Sequence, residues 1–322
     1  MIVFREPGEV PAHFGPSVVV IGKFDGVHSG HRAVIDRARV TAADAGARVV
    51  AVTFDRNPLS LLRPELCPDP LSSVDQKLTQ LADAGVDATL VLRFDESLAS
   101  LEPRAFVEHM LVEALGVVTV MVGDDFRFGR GGAGTPALLE DLGAEYGFAV
   151  DVVSDVQGGG RRVSSTWVRD LLSAGDVEGA ARLLGRPHSV QGEVVHGLKR
   201  GRELGYPTAN LEPDAEGFIP ADGVYGGWLI DLGATAGEAD AAAAVTRYPA
   251  AISVGTNPTF DDVERRQVEA YVLDETGLDL YGHRVQIQFT HRIRGMVAFE
   301  GIEKLIAQMT DDVARVRTAL RA

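Results

Sequence analysis

The chain has a single cysteine, Cys67, and only two tryptophans. One thiol closes no internal disulfide and builds no cysteine-rich metal site, which points to a reducing cytoplasm. Cys67 sits in a proline-rich stretch, Arg63 to Pro70, with no histidine close in sequence to activate it. Long apolar runs are missing too. Ser17 to Ile21 is far shorter than a bilayer-spanning run, and Met1 to Pro16 has neither the basic leader nor the apolar stretch of a secretory signal. No membrane association is expected. Cations are in deficit, with 31 Lys and Arg against 46 Asp and Glu, a formal net charge of −15. Nucleic-acid binding draws on Lys and Arg that neutralise phosphates, so that class of partner is disfavoured. A single nucleotide is not, because it needs only a nest of amides, a few cations and a metal.

What is present is ordinary for a packed protein: 45% hydrophobic and 24% charged residues over 322 positions, enough for two domains. In the first half, apolar runs alternate with segments of helical period. Ser17 to Gly22, Arg48 to Phe54, Ala88 to Phe94, Val117 to Val122 and Phe148 to Val153 read as strands. Gly30 to Ala45, Val74 to Gly85, Phe106 to Leu115 and Pro136 to Tyr146 complete the alternation. Such alternation predicts a parallel sheet with helices on both faces, whose ligands lie beyond the carboxyl ends of the strands, in the loops after Ile21, Phe54 and Val122. Two short helices, Thr166 to Ala174 and Val177 to Leu184, lead to a boundary near Gly185-Arg-Pro187, dividing the chain into 1–186 and 187–322. Beyond it, Val190 to Val195, Tyr225 to Asp231, Ala250 to Val254, Gln267 to Leu273 and Arg284 to Phe289 are short and often alternating, which predicts a small antiparallel barrel. Phe299 to Leu320 reads as an amphipathic helix over it, and Gly233 to Ala244 as a surface insertion or weak linker.

Two constellations carry chemistry. Gly22-Lys-Phe-Asp-Gly-Val-His28-Ser-Gly-His31 follows the first strand and opens the first helix. Glycines admit a phosphate to the backbone, a helix N-terminus offers unpaired N–H groups, and two histidines three apart can donate to phosphate oxygens as charge builds. A satisfied structural pair or half a metal site is the competing reading, and a metal site lacks evident further ligands. In Arg162-Val-Ser164-Ser165-Thr166-Trp-Val-Arg169 the hydroxyls sit at a helix start, where they cap the helix or bind an anion, and Arg169 shares a face with Thr166. The second constellation begins with Gly197-Leu-Lys199-Arg-Gly201-Arg-Glu-Leu-Gly205-Tyr-Pro207-Thr208-Ala-Asn210. Its glycines form a flexible loop between strands or wrap a polyphosphate, and it ends in a Pro-Thr-x-Asn turn whose Thr208 and Asn210 point to one side if extended, where both oxygens could reach one Mg²⁺. In Gln267-Val-Glu269-Ala-Tyr271, Glu269 projects from the polar face of a strand, as a general base or as a solvated glutamate.

The glycine-histidine loop resembles the HxGH motif of the nucleotidyltransferase superfamily, and Ser-Ser-Thr-x-x-Arg its second nucleotide motif. Gly-Tyr-Pro-Thr-Ala-Asn is similar to the riboflavin kinase signature, and Val-Glu-Ala-Tyr-Val-Leu-Asp to the strand with its catalytic glutamate. In this order, over roughly Val18 to Leu320, the motifs resemble the prokaryotic bifunctional riboflavin kinase/FAD synthetase family. The resemblance implies a Rossmann-like α/β nucleotidyltransferase followed by a six-stranded antiparallel barrel of riboflavin kinase type with a terminal helix. It implies ATP phosphorylation of riboflavin to FMN, then AMP transfer from ATP to FMN, giving FAD and pyrophosphate. It assigns ATP to His28 and His31 with Gly22, Phe24, Asp25, Gly26 and Gly30, completed by Ser164, Ser165, Thr166 and Arg169. Phe54 and Asn57, and Asp125, Phe126 and Phe128 of the loop Gly123 to Gly129, fall where the family holds flavin. In the kinase module it implies ATP binding by Gly197, Lys199, Gly201, Gly205, Pro207 and Asn257, Mg²⁺ at Thr208 and Asn210, and Glu269 as base.

The chain departs from the family where Pro-His-Pro is common and Arg56-Asn57-Pro58 stands instead. Asn57 can donate and accept hydrogen bonds but carries no proton charge, so binding survives there and acid–base chemistry does not. The first module needs no strong base, because FMN's phosphate is already anionic; the second must deprotonate an alcohol. Two other readings stay open: an adenylyltransferase whose barrel only binds flavin or serves assembly, and a flavin carrier on an enzyme scaffold. A homo-oligomer is left open as well.

Overall fold

The computed structural model describes residues 1–196, 205–234, 246–256, 266–275 and 277–321. The chain divides into two compact units, Met1–Ser165 and Thr166–Ala322. That division comes earlier than the boundary expected at 186/187, because the helices Ser165–Ser173 and Val177–Leu184 group mostly with the second unit.

The first unit is built on a parallel sheet of six strands: β1 (Ile2–Phe4), β2 (Ser17–Ile21), β3 (Arg48–Phe54), β4 (Ala88–Leu92), β5 (Val117–Gly123) and β6 (Ala149–Val153). Their order is β1-β4-β3-β2-β5-β6, so the winding reverses where β2 lies between β3 and β5. All five residues of β2 are buried, as a central strand covered on both faces requires. Val19 and Ile21 enter one core with Val50, Leu90, Phe106 and Leu139. Val18 and Val20 enter the other, with Ile35, Ala38 and Ala42 of the helix Ser29–Ala45. That helix ends at Gly46, whose φ of 60° is a conformation glycine adopts without a Cβ penalty. The helix Val74–Asp83 starts on a capping box between Ser73 and Gln76. The helix Pro136–Tyr146 has Thr135 as its cap and proline in its first turn.

Two elements differ from expectation. β1 was absent from the sequence reading because it is only three residues long and two of them are exposed, which leaves no periodicity to detect. Phe106 to Leu115 is not a plain α-helix: a turn of α-helix at Pro103–Phe106 continues as a π-helical stretch over Val107–Ala114. A minimal antiparallel ribbon, β7 (Gln157–Gly158) and β8 (Arg161–Arg162), precedes the second nucleotide motif.

The second unit holds the expected closed barrel, of β9 (His188–Val195), β10 (Thr208–Leu211), β11 (Gly223–Ala234), β12 (Thr246–Thr256), β13 (Arg266–Val272) and β14 (His283–Arg294). The order is β10-β13-β12-β11-β14-β9, antiparallel throughout, and β9 pairs with β10 to close it. In β9 and β13 buried and half-buried residues alternate, which sends one face inward. At Gly227, in a bulge between β11 and β14, a Cβ would overlap the Gln288 carbonyl oxygen, so only glycine fits. The C-terminal helix Ile302–Ala319 packs Val316 against Val224, Leu273 and Ile293. Most of the insertion expected at 233–244 lies outside the described residues.

Candidate active sites

The first site forms at the carboxyl ends of β2, β3 and β5, where the reversed winding leaves a crevice. The chain turns out of β2 through backbone that side chains rarely adopt. Phe24 (φ 49°), Gly26 (φ 78°) and Val27 (φ 37°) all have positive φ, and in a β-branched residue such as Val27 this stores strain characteristic of functional loops. Phe24 is buried, with its ring against Gly22 and edge-on to His31. His28 occupies the cap position of the helix Ser29–Ala45 without capping it by its side chain. Its ring is instead stacked on that of His31, centroids 3.7 Å apart and 20° from parallel. Gly30 permits this: a Cβ there would come within 3.1 Å of the His28 ring.

Burial, followed by the charges of His28, Lys23, Arg162 and Lys77, holds the His31 imidazole well below its ordinary pKa. Its Nδ1 is buried without a hydrogen-bond partner. The second nucleotide motif joins this loop directly, since the Ser165 hydroxyl donates to the Asp25 carbonyl at 2.9 Å. The Asp25 carboxylate in turn accepts from the Leu71 amide at 2.8 Å. Ser164 is half-buried just before the helix Ser165–Ser173; Thr166 and Arg169 lie three apart on that helix, Thr166 exposed.

The residues expected at the flavin divide into two kinds. Phe126 is half-buried and stacked on Phe128, whose buried ring also packs on Phe106. Phe128 therefore backs Phe126 from within the core. Phe54 stands edge-on to Phe94. The Asn57 side chain accepts from the Leu59 amide at 3.1 Å, so it already organises the turn into the short helix Leu59–Leu62. Asp125 is paired with Arg162 at 2.9 Å, and Arg162 also meets Asp155 at 3.0 Å.

Sequence reasoning passed over two residues here, Arg162 and Lys77. Arg162 ties the Asp125 loop to the second nucleotide motif. Lys77 is buried, and its ammonium donates to Phe54 O at 2.7 Å, Thr53 Oγ1 at 3.2 Å and Lys23 O at 3.4 Å. Burial lowers its pKa to about 8 against the opposing pull of Asp25 and Asp55. The signal was present: Lys77 shares the inward stripe of its helix with Leu81 and Ala84, where an amphipathic pattern calls for an apolar residue.

The second site lies on the barrel. The Pro-Thr-x-Asn segment, read from sequence as a turn, is the strand β10, extended as the shared direction of Thr208 and Asn210 requires. Asn210 pairs directly with Glu269 across β10 and β13, on the face away from buried Val268, Ala270 and Val272. Thr208 Oγ1 donates to Glu269 Oε2 at 3.3 Å, and Gln267 donates to Asn210 Oδ1 at 3.3 Å. Burial raises the Glu269 pKa, only partly offset by the Thr208 hydrogen bond. Asn210 turns Nδ2 towards Thr208 Oγ1, at 3.3 Å. Gly205 and Pro207 lead into β10, Gly205 with φ 86°. Gly197, Lys199, Gly201 and Asn257 lie outside the described residues.

A family described as FAD synthetase matches residues 10–167, and one described as riboflavin kinase matches residues 184–320. The bifunctional riboflavin kinase/FMN adenylyltransferase of Escherichia coli strain K12 is 37% identical over 300 residues, covering 93% of this chain and 91% of that protein. The same-named enzymes of Pseudomonas fluorescens and Bacillus subtilis strain 168 are 37% identical over 95% of the chain and 33% identical over 92%, covering 94% and 90% of those proteins. Among solved structures, a protein described as a macrolide-efflux protein from Streptococcus pneumoniae is 31% identical, with a TM-score of 0.83 over 98% of both chains. The transport role in that description stays with that protein.

Proposed function

The chain belongs to the bifunctional riboflavin kinase/FMN adenylyltransferase family, and from that premise we propose how its residues divide the work. The protein phosphorylates riboflavin with ATP to FMN and transfers AMP from a second ATP to FMN, releasing pyrophosphate. We place AMP transfer in 1–186 and phosphorylation in 187–322, leaving with the first module the two helices between the matched regions.

In AMP transfer, the FMN phosphate oxygen bonds to the α-phosphorus of ATP as the bond to the pyrophosphate oxygen breaks. No proton need be removed, so the protein aligns the reactants and stabilises charge. His28 and His31 take the phosphates, over the loop Gly22, Phe24, Asp25, Gly26 and Gly30. The stacked imidazoles carry this reading: burial, then the charges of His28, Lys23, Arg162 and Lys77, hold the His31 pKa well below its ordinary value, and a phosphate supplies the opposing charge. Ser164 and Ser165 complete the nucleotide site, and Thr166 and Arg169 are assigned to it by motif. Phe54, Asn57, Asp125 and Phe126 face FMN, with Phe128 behind Phe126.

In phosphorylation, Glu269 takes the proton of the ribityl 5′-hydroxyl as its oxygen bonds to the γ-phosphorus and ADP leaves. A carboxylate whose pKa is raised by burial is the better base for an alcohol. Gly205 and Pro207 shape the approach to β10, and Gly197, Lys199, Gly201 and Asn257 are assigned to ATP by motif. A hydroxyl and an amide oxygen are hard ligands suited to Mg²⁺, which takes most of its remaining coordination from water and phosphate. Thr208 and Asn210 would hold it once the Asn210 amide turns Oδ1 inward, and it would neutralise charge on the ATP phosphates. No group of three or more His, Cys, Asp or Glu able to hold a metal occurs among the described residues. A cytoplasmic location is proposed on the single cysteine. No helix among the described residues is long and apolar enough to cross a membrane.

Incubation with riboflavin, ATP and Mg²⁺, with chromatographic separation of flavins over time, tests both halves. FMN accumulates first and FAD follows. FAD from supplied FMN but not from riboflavin would leave the barrel a binding module, as would FMN production untouched by Glu269→Ala.

A further inference from the structure

Lys77 contacts no reactant in the chemistry above, and it is buried where two parts of the first site meet. The Lys23 carbonyl belongs to the strained loop that delivers His28; Thr53 and the Phe54 carbonyl end β3, from which the segment carrying Asn57 departs. The Thr53 hydroxyl itself donates to the Lys23 carbonyl at 3.2 Å. Three acceptors match the three N–H groups of an ammonium, so none is left for a substrate.

We propose that Lys77 is a positioning residue for AMP transfer, its ammonium locking the histidine loop to the flavin-side end of β3. The inference rests on the assignment of those two segments to the adenylyltransferase site. A misplacement of about 1 Å between reactants costs on the order of a hundredfold in rate, so a tie at this junction acts on turnover more than on affinity. The charge state matters because a neutral amine has two N–H groups and one lone pair, and one of its three acceptors then loses its donor. Asp25 from the loop and Asp55 from the end of β3 favour the ammonium, while burial opposes it; His31 from the adjoining helix feels its charge.

The test is steady-state AMP transfer from ATP to FMN by the full chain between about pH 6.5 and 9.5, with riboflavin phosphorylation assayed alongside. The wild-type kcat falls as the pH passes about 8. Thr53→Val, close to isosteric, removes one acceptor of the charged form and moves that fall to lower pH, because a lost hydrogen bond to the ammonium lowers its pKa. Lys77→Met lowers kcat by about tenfold or more, with a smaller change in KM for ATP, no fall over this pH range, and kinase turnover retained. A wild-type fall that Thr53→Val leaves in place, or a Lys77→Met rate within about threefold of wild type, overturns the proposal. His28→Ala separates the two levels. If His28→Ala leaves AMP transfer intact, the site assignment fails and the inference with it. If His28→Ala abolishes transfer and Lys77→Met does not, the inference alone fails.

Discussion

Asn210 sits directly across the β10–β13 pair from Glu269, and Thr208, on the same side of β10, donates to the Glu269 carboxylate at 3.3 Å. The groups proposed for the metal and for the base are thereby carried on one antiparallel strand pair. Cross-strand neighbours stand about 5 Å apart, which sets their spacing without help from flexible loops.

Glu269→Gln should cost the kinase on the order of 10²–10⁴ in turnover, the usual worth of a positioned general base, while AMP transfer from supplied FMN is unchanged. Separate assays of the two half-reactions check it. The pH dependence has a definite sign. Glu269 acts as the carboxylate, and burial raises its pKa above 4.5, so kinase activity is lost as pH falls through a value above the ordinary glutamate range. An acid limb at or below 4.5 would assign the base elsewhere.

Gly30→Ala tests the histidine stack with a single methyl group. The new Cβ would lie 3.1 Å from Cε1 and Nδ1 of His28, closer than carbon contacts usually come, so the imidazole must move. Alanine is a better helix former than glycine by about 1 kcal/mol, so the fold should hold or gain slightly. AMP transfer should fall by about tenfold or more through misplacement of His28, with the kinase rate retained. Unchanged FAD formation in this variant would show that the stacked geometry is dispensable.

Much of this was legible because the determining signals are local. Four successive apolar residues in β2, Val18 to Ile21, mark a strand covered on both faces, and the alternation at Val268, Ala270 and Val272 sends Glu269 to the opposite side. What escaped depends on partners distant in sequence. β1 exists because β4 offers an edge, and β10 is a strand because β9 and β13 flank it, not because Pro-Thr-Ala-Asn has β propensity. Phe128 has the residue type expected at a flavin, but only the packing of Phe106 and Phe126 shows that its ring lies inside. Asn57, a departure from the family pattern, makes a turn contact two residues away that its side-chain chemistry allows and its position alone does not reveal.

The C-terminal helix is held to the barrel by a buried ion pair as well as by Val316. Asp312 accepts from Arg294 Nε at 2.9 Å, Arg294 Nη2 at 2.7 Å and Gln308 Nε2 at 3.0 Å. The two side chains are 16% and 5% exposed, so neither charge is well solvated once its partner is removed. Asp312→Asn should destabilise the barrel unit by about 3 kcal/mol, most of it the cost of leaving the Arg294 charge uncompensated. Replacing both residues with apolar ones of similar volume should recover a large part of the loss. Denaturant unfolding of the single and double variants checks both statements, and a double variant no better than the single would place the cost in packing.

His188 gives the barrel an acid sensitivity unrelated to catalysis. The ring is buried at the start of β9, and Nε2 meets the Phe218 carbonyl at 2.6 Å, which requires a proton on that nitrogen and none on the other in the neutral ring. Burial lowers its pKa to about 4, against an ordinary value of 6.5. Between those values the unfolded chain binds a proton that the folded barrel does not, so stability rises with pH there and is lost as pH falls from 6.5 to about 4. At about 1.4 kcal/mol per pKa unit the full loss amounts to about 3 kcal/mol. His188→Gln keeps a donor for the Phe218 carbonyl but cannot titrate. Its unfolding free energy should start lower at neutral pH and change less on acidification, by about that amount, than the wild-type value. Parallel curves for the two proteins between pH 6.5 and 4 would assign the acid sensitivity to other groups.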